Sequence, residues 1–163
     1  MQDLLDKQAI AEVLYRCCRG CDRKDRIALE TIYWPDATDP QFDELGASGW
    51  IERMLANARM ASHFVSNVLI DKRSPTSAGV ESYVRSQTSL ELPSGRHDLL
   101  TAARYLDGFE KRGHEWRIKR RICVIDYFQL MPASDHLGAE IFPSFERGAT
   151  YPRDALYRYG DRA

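Results

Sequence analysis

Apolar positions recur every three or four residues in the first part of the chain, and every second residue further on. Ile10, Val13, Leu14, Cys17 and Cys21 form one stripe, which predicts a first helix over about Leu4 to Cys21, weakened at its end by Gly20. Ile27, Leu29, Ile32, Tyr33 and Trp34 supply the apolar surface of a second, shorter helix over about Lys24 to Tyr33, stopped by Pro35. The acid-rich stretch Asp36 to Gly46 reads as an irregular connection or one that holds a short strand. Ser48 is a candidate N-cap for a third helix, running to about Met60, with Trp50, Ile51, Met54, Leu55 and Ala58 on its buried side.

The period then changes to two. His63 to Ile70, Gly79 to Leu92, Asp98 to Lys111 and Trp116 to Leu130 read as four strands. Ser74-Pro75, Pro93-Ser94-Gly95 and Arg112-Gly113-His114 punctuate them at hairpin spacing, so the strands form a meander. Helices first and strands afterwards predict an α+β fold: a curved antiparallel sheet, a cone-shaped barrel covered by three N-terminal helices, with an internal pocket. The domain is expected over residues 1–132. Residues 133–163 have no period but carry Phe142, Phe145, Tyr151, Tyr157 and Tyr159, too aromatic for a solvated tail. This tail is expected to pack on the domain or on a neighbouring subunit.

Composition narrows the classes. With 163 residues, 44% hydrophobic and 29% charged, the chain suits one soluble domain. A net charge of −1 gives no general pull toward nucleic acid or an anionic membrane. No apolar run is long enough to span a bilayer, and the acidic start does not read as a signal peptide, so a cytoplasmic location is expected. Cys18-Arg-Gly-Cys21 matches C-x-x-C, but at the end of a helix and without a second ligand pair, which suits buried thiols better than redox or zinc chemistry. His97, His114 and His136 show no metal-binding spacing, and no glycine-rich nucleotide loop occurs, so no cofactor and no metal are expected.

Two residues could carry acid–base chemistry. Asp22 follows the apolar stripe of the first helix, and His63 opens the first strand of the meander. An aspartate that accepts one imidazole N–H fixes the tautomer and leaves the other nitrogen to move a proton. From the residues alone the bland reading is favoured: a buried histidine with a local partner, and an aspartate that caps the second helix. Alternation places His63, Val65, Asn67 and Leu69 on one strand face, which makes Asn67 a candidate substrate ligand. In Arg117-Ile-Lys-Arg-Arg-Ile122, alternation sends Arg117, Lys119 and Arg121 to solvent and lets Arg120 reach a pocket. Arg104, Tyr105, Tyr15 and Trp34 complete the set of candidate substrate-binding residues.

Three blocks resemble a known family. Ile10 to Asp25 is similar to the first helix of SnoaL-like proteins, which closes on an aspartate. His63-Phe-Val-Ser-Asn67 resembles their H-x-x-x-N strand, and Ala103 to Arg121 resembles their Y-x-D-x-F-E to W-R-I-x-x-R hairpin. The resemblance covers about residues 1–132 and points to the scytalone-dehydratase-like branch of the nuclear-transport-factor-2-like superfamily. It implies an Asp22–His63 dyad, a cofactor-independent dehydratase-type lyase or an isomerase, a small apolar cyclic substrate, and a homo-oligomer, dimer or trimer. It leaves a second reading, a ligand-binding protein or a β subunit of a ring-hydroxylating dioxygenase. The chain departs from the pattern at Cys17, where the dehydrochlorinases carry lysine and the bile-acid dehydratases tyrosine. Tyr15 and Tyr105 are the replacements considered.

Overall fold

The computed structural model describes residues 1–38, 46–57, 60–133 and 142–159. Helix α1 (Gln2–Arg23) is followed by α2 (Arg26–Glu30), strand β1 (Tyr33–Thr38) and α3 (Gly46–Asn57). The meander is β2 (Met60–Ser74), β3 (Ser77–Leu92), β4 (Gly95–Arg112) and β5 (Glu115–Pro132), and a short α4 (Ala155–Tyr159) lies near the end. The strands form one sheet in the order β1-β5-β4-β3-β2. All pairs are antiparallel except β1 with β5. The fold is thus the expected α+β architecture, a curved sheet with helices before it. The sheet is mixed and remains open, with β1 at one edge and β2 at the other.

The second helix is shorter than its apolar pattern suggested. It stops at Glu30, and Tyr33, Trp34 and Pro35 enter β1 instead. Aromatic side chains fit a half-buried strand, and an edge strand accommodates proline, which lacks an N–H. Helix α3 begins at Gly46, so Ser48 lies inside its first turn rather than at its cap. Residues 39–45, 58–59, 134–141 and 160–163, which include Ala58 and His136, lie outside the described residues.

One face of the sheet meets α1. Ile10, Val13, Leu14 and Cys17 pack with Val80, Phe109, Trp116 and Ile118 in a single core. Helix α1 ends at Lys24, in the left-handed conformation with φ 52°, and Asp25 caps α2 by accepting from the Ala28 N–H. The two helices touch at Gly20, where a Cβ would lie 2.7 Å from Leu29 Cδ2.

Three bulges decide which side chains face α1. In β2 the register shifts between Ser66 and Leu69, and Asn67 takes φ 48°. In β5 one shift falls opposite the step from Gly108 to Phe109, leaving Lys119 unpaired, and another opposite the step from Ala102 to Ala103, leaving Asp126 unpaired. Each extra residue reverses the alternation beyond it.

The described tail lies against the end of α1. Tyr151 N–H donates to the Arg23 carbonyl at 2.6 Å, and the Tyr157 hydroxyl donates to Asp25 Oδ2 at 2.7 Å. Asp154 accepts from the Ala149 and Leu156 N–H groups and lies 3.6 Å from the Arg23 guanidinium.

Candidate active site

Asp22 comes from the last turn of α1 and His63 from the start of β2, and the helix crossing the sheet brings them together. Asp22 grips His63 at two points. Its Oδ2 accepts the His63 backbone N–H at 3.0 Å, and its Oδ1 lies 2.6 Å from Nδ1. Both side chains are 11% exposed. An ionised carboxylate only accepts, so Nδ1 carries the proton, and in the neutral imidazole Nε2 presents a lone pair. Among the described residues no group hydrogen-bonds Nε2. Such a histidine can take up a proton at Nε2 and be steadied as imidazolium by the carboxylate behind it.

Deeper on the same face lies a buried charge. Arg121 donates to both Asp107 oxygens, at 2.8 Å from Nε and 2.7 Å from Nη2, with side chains 3% and 0% exposed. Its Nη1 donates to Cys17 Sγ at 3.4 Å, and its Cζ lies 3.9 Å from the Tyr105 ring centroid. Burial, the largest single influence, opposes the guanidinium charge, but the Asp107 carboxylate together with Tyr33 and Cys17 outweighs it and holds the group protonated. The Cys17 thiol is drawn below its usual range by a hydrogen bond from Cys21, with burial opposing and Arg121 helping. Cys21 shifts the other way, first through that same bond and then through burial. Burial also pushes Cys18 up to about 12. All four cysteines are free thiols. Burial likewise keeps the Tyr105 hydroxyl protonated far above neutral pH.

The sequence-derived candidates separate into two groups. Asp22, His63 and Tyr105 share the inner face with Cys17 and Arg121. Asn67, Arg104, Arg120, Trp34 and Tyr15 do not. Asn67 is exposed at the bulge, where its short polar side chain tolerates a positive φ, and the next inward side chain is Val68. Arg104 alternates with Tyr105, so it faces outward, where it pairs with Asp126 and Glu81. Arg120 is exposed on the outer face because Lys119 is the extra residue that turns Arg121 inward. Trp34 is held between the Arg112 and Arg117 guanidinium groups, with its Nε1 donating to the Glu110 carbonyl. Tyr15 is 47% exposed and lies off the buried stripe of α1. Arg121 and Asp107, which alternation alone assigns to solvent or leaves unplaced, are the inner-face residues that sequence reasoning missed.

The profile of the SnoaL-like domain family matches residues 2–122. The chain belongs to the SnoaL-like family. Solved structures agree on the fold of this SnoaL-like protein. A type 2 hexachlorocyclohexane dehydrochlorinase superposes with a TM-score of 0.72 at 20% identity, covering 82% of this chain and 93% of that one. A candidate scytalone dehydratase from Novosphingobium aromaticivorans gives 0.69 at 22% identity, covering 94% and 97%. The β subunit of a candidate aromatic-ring-hydroxylating dioxygenase from the same organism gives 0.61 at 16% identity, covering 78% and 93%. No curated protein matches the sequence. Among the described residues of the SnoaL-like chain, no helix is long and apolar enough to cross a membrane, and no cluster of His, Cys, Asp and Glu is arranged to hold a metal ion.

Proposed function

We propose that this SnoaL-like protein is a cofactor-independent lyase of the dehydratase type, or a double-bond isomerase, acting on a small and largely apolar ring compound. The reading rests on the Asp22–His63 pair. His63 Nε2 takes a proton from a carbon next to an activating group, and Asp22 stabilises the imidazolium. In the elimination, the C–H electron pair becomes the new double bond, and the leaving hydroxyl departs with the imidazolium proton as water. In the isomerisation, that proton returns to a different carbon. A positioned base contributes about a hundredfold to ten-thousandfold in rate. The family and the dehydrochlorinase and dehydratase names among the similar structures are consistent with this class.

The test is proton exchange, which needs no knowledge of the natural leaving group. Cyclic ketones and hydroxy-ketones are incubated with the protein in heavy water, and deuterium entering the carbon beside the carbonyl is followed by NMR. The wild type should speed exchange for part of the panel. His63→Ala should abolish it, and Asp22→Asn should reduce it at least a hundredfold. Equal rates for wild type and His63→Ala, with folding intact, would remove the base from the mechanism.

The outer face of the sheet supports a second element of the reading. Phe64, Tyr83 and Tyr127 are exposed there, on β2, β3 and β5. A face of this kind suits association with further copies of the chain or with a larger partner. Sedimentation of the purified protein distinguishes a homo-oligomer from a monomer, and co-purification with a larger iron–sulfur protein would favour the accessory-subunit reading.

A further inference from the structure

Strand register places a row of polar side chains beside the histidine. His63 pairs with Ser86, Ser86 with Thr101, and Thr101 with Phe128. Residues directly opposite one another project to the same face. The row is bordered by apolar ones: Val65, Val84, Ala103 and Ile125 on one side, and Ala61, Thr88, Leu99 and Leu130 on the other, broken only by Thr88. Ser86 and Thr101 are half-buried, and among the described residues neither hydroxyl has a hydrogen-bond partner. Phe128, at the end of the row, is 65% exposed, and Ile125 and Leu130 beside it are also open. Level with the histidine, the inner face therefore combines one base, two adjacent unengaged hydroxyls and an apolar wall.

We propose that Ser86 and Thr101 are substrate-binding residues that together receive the oxygen on which negative charge develops when His63 removes a proton. The proposal rests on His63 acting as the base and names the substrate class of that site: a flat ring ketone whose carbonyl lies next to the carbon acid. Adjacent strands lie about 4.8 Å apart, so two neighbouring hydroxyls can each reach one shared oxygen at about 2.8 Å. Ser86 is one strand from His63. A carbonyl oxygen held there stays within a bond or two of a carbon presented to Nε2. As the C–H pair moves into the ring, the carbonyl π pair moves onto the oxygen, and the two O–H groups hold the enolate. The enolate then reforms the carbonyl as the β-hydroxyl leaves with the imidazolium proton as water. Phe128, Ile125 and Leu130 lie against the rest of the ring system. Fixed donors aimed at a developing oxyanion are worth roughly a hundredfold to a thousandfold in rate for each donor lost.

The probe is 2-naphthol, a bicyclic phenol whose oxygen stands in for the enolate oxygen, with naphthalene as the control that lacks it. Fluorescence titration of the wild type should show tighter binding of 2-naphthol than of naphthalene. Ser86→Ala and Thr101→Val should each weaken 2-naphthol roughly tenfold, and naphthalene less than twofold. Thr101→Ser keeps the donor and should restore the naphthol affinity, which separates hydrogen bonding from packing. His63→Ala should keep the preference for naphthol. If it keeps that preference but does not lose exchange activity, the base reading fails while the hydroxyl pair stands. A Ser86→Ala/Thr101→Val double variant that binds 2-naphthol like the wild type would overturn the proposal. So would a wild type that binds naphthalene equally well.

Discussion

The Arg121–Asp107 pair offers the sharpest test of how this interior is held together. Replacing Asp107 by asparagine keeps shape and volume but removes the negative charge. The guanidinium is then left 3% exposed, with two donors that previously met a carboxylate at 2.8 and 2.7 Å. Breaking one side of a buried ion pair costs about 3–5 kcal/mol. At roughly 2–4 °C per kcal/mol for a chain of this size, the melting temperature should fall by about 6–20 °C. Urea and thermal unfolding, followed by circular dichroism, measure the loss. The companion variant removes both charges. Asp107→Leu with Arg121→Leu should recover most of the stability, because the desolvation cost of two ions disappears along with their attraction. A loss under about 1 kcal/mol for Asp107→Asn would refute the reasoning, since it would mean water reaches the guanidinium. A double variant as unstable as the sum of the two singles would refute it as well, because the pair would then not be coupled.

Three further outcomes are expected. Asp6 accepts hydrogen bonds from Lys72, Lys111 and Trp116, which hold its carboxyl well below its ordinary 3.8. The unfolded chain therefore binds this proton first, so the stabilisation is whole above about pH 5 and fades as pH falls through the folded value; Asp6→Asn should flatten that acid limb in pH-dependent urea titrations. Asn67→Val should cost about 1–3 kcal/mol, because a β-branched residue is strained at φ 48°, while Asn67→Gly should fold normally and leave deuterium exchange unchanged. Tyr157→Phe, which loses the 2.7 Å bond to Asp25, should cost about 1 kcal/mol and speed tryptic cleavage at Arg147 and Arg153.

Much of this fold could be read from hydrophobic period. The α1 stripe, the third helix and the four-strand meander follow from it, and the turns follow from their glycines and prolines. The edge strand β1 is legible only in part: a short strand is one option for the stretch from Asp36, but Tyr33-Trp34-Pro35 continues the apolar run of α2 and only pairing with β5 makes it extended. At the site, residue type and position alone favour the bland reading of Asp22 and His63, and only the family resemblance points to their pairing, which no bulge disturbs. On β5 the strand faces failed for one reason. Counting back from the Arg112–Glu115 turn puts Arg120 opposite Asp107, whereas the structure puts Arg121 there. One unpaired residue, Lys119, separates the two answers, and its composition does not distinguish it from its neighbours. Asn67 is different: an asparagine inside a strand-forming run is a recognisable bulge signal, and it reads as such once a positive φ is considered.

The bulge at Lys119 also bears on how such a chain can change over generations. Point substitutions alter the inner wall one side chain at a time. Losing Lys119 would close the bulge and leave Arg120 opposite Gly108 and Arg121 opposite Asp107, so the side chains beyond it would keep their faces. Asp22 and His63 lie outside β5 and would keep their places. The extra residue thus marks a place where the chain can shorten by one inherited step without re-aiming the inner wall, with the Asp22–His63 pair untouched.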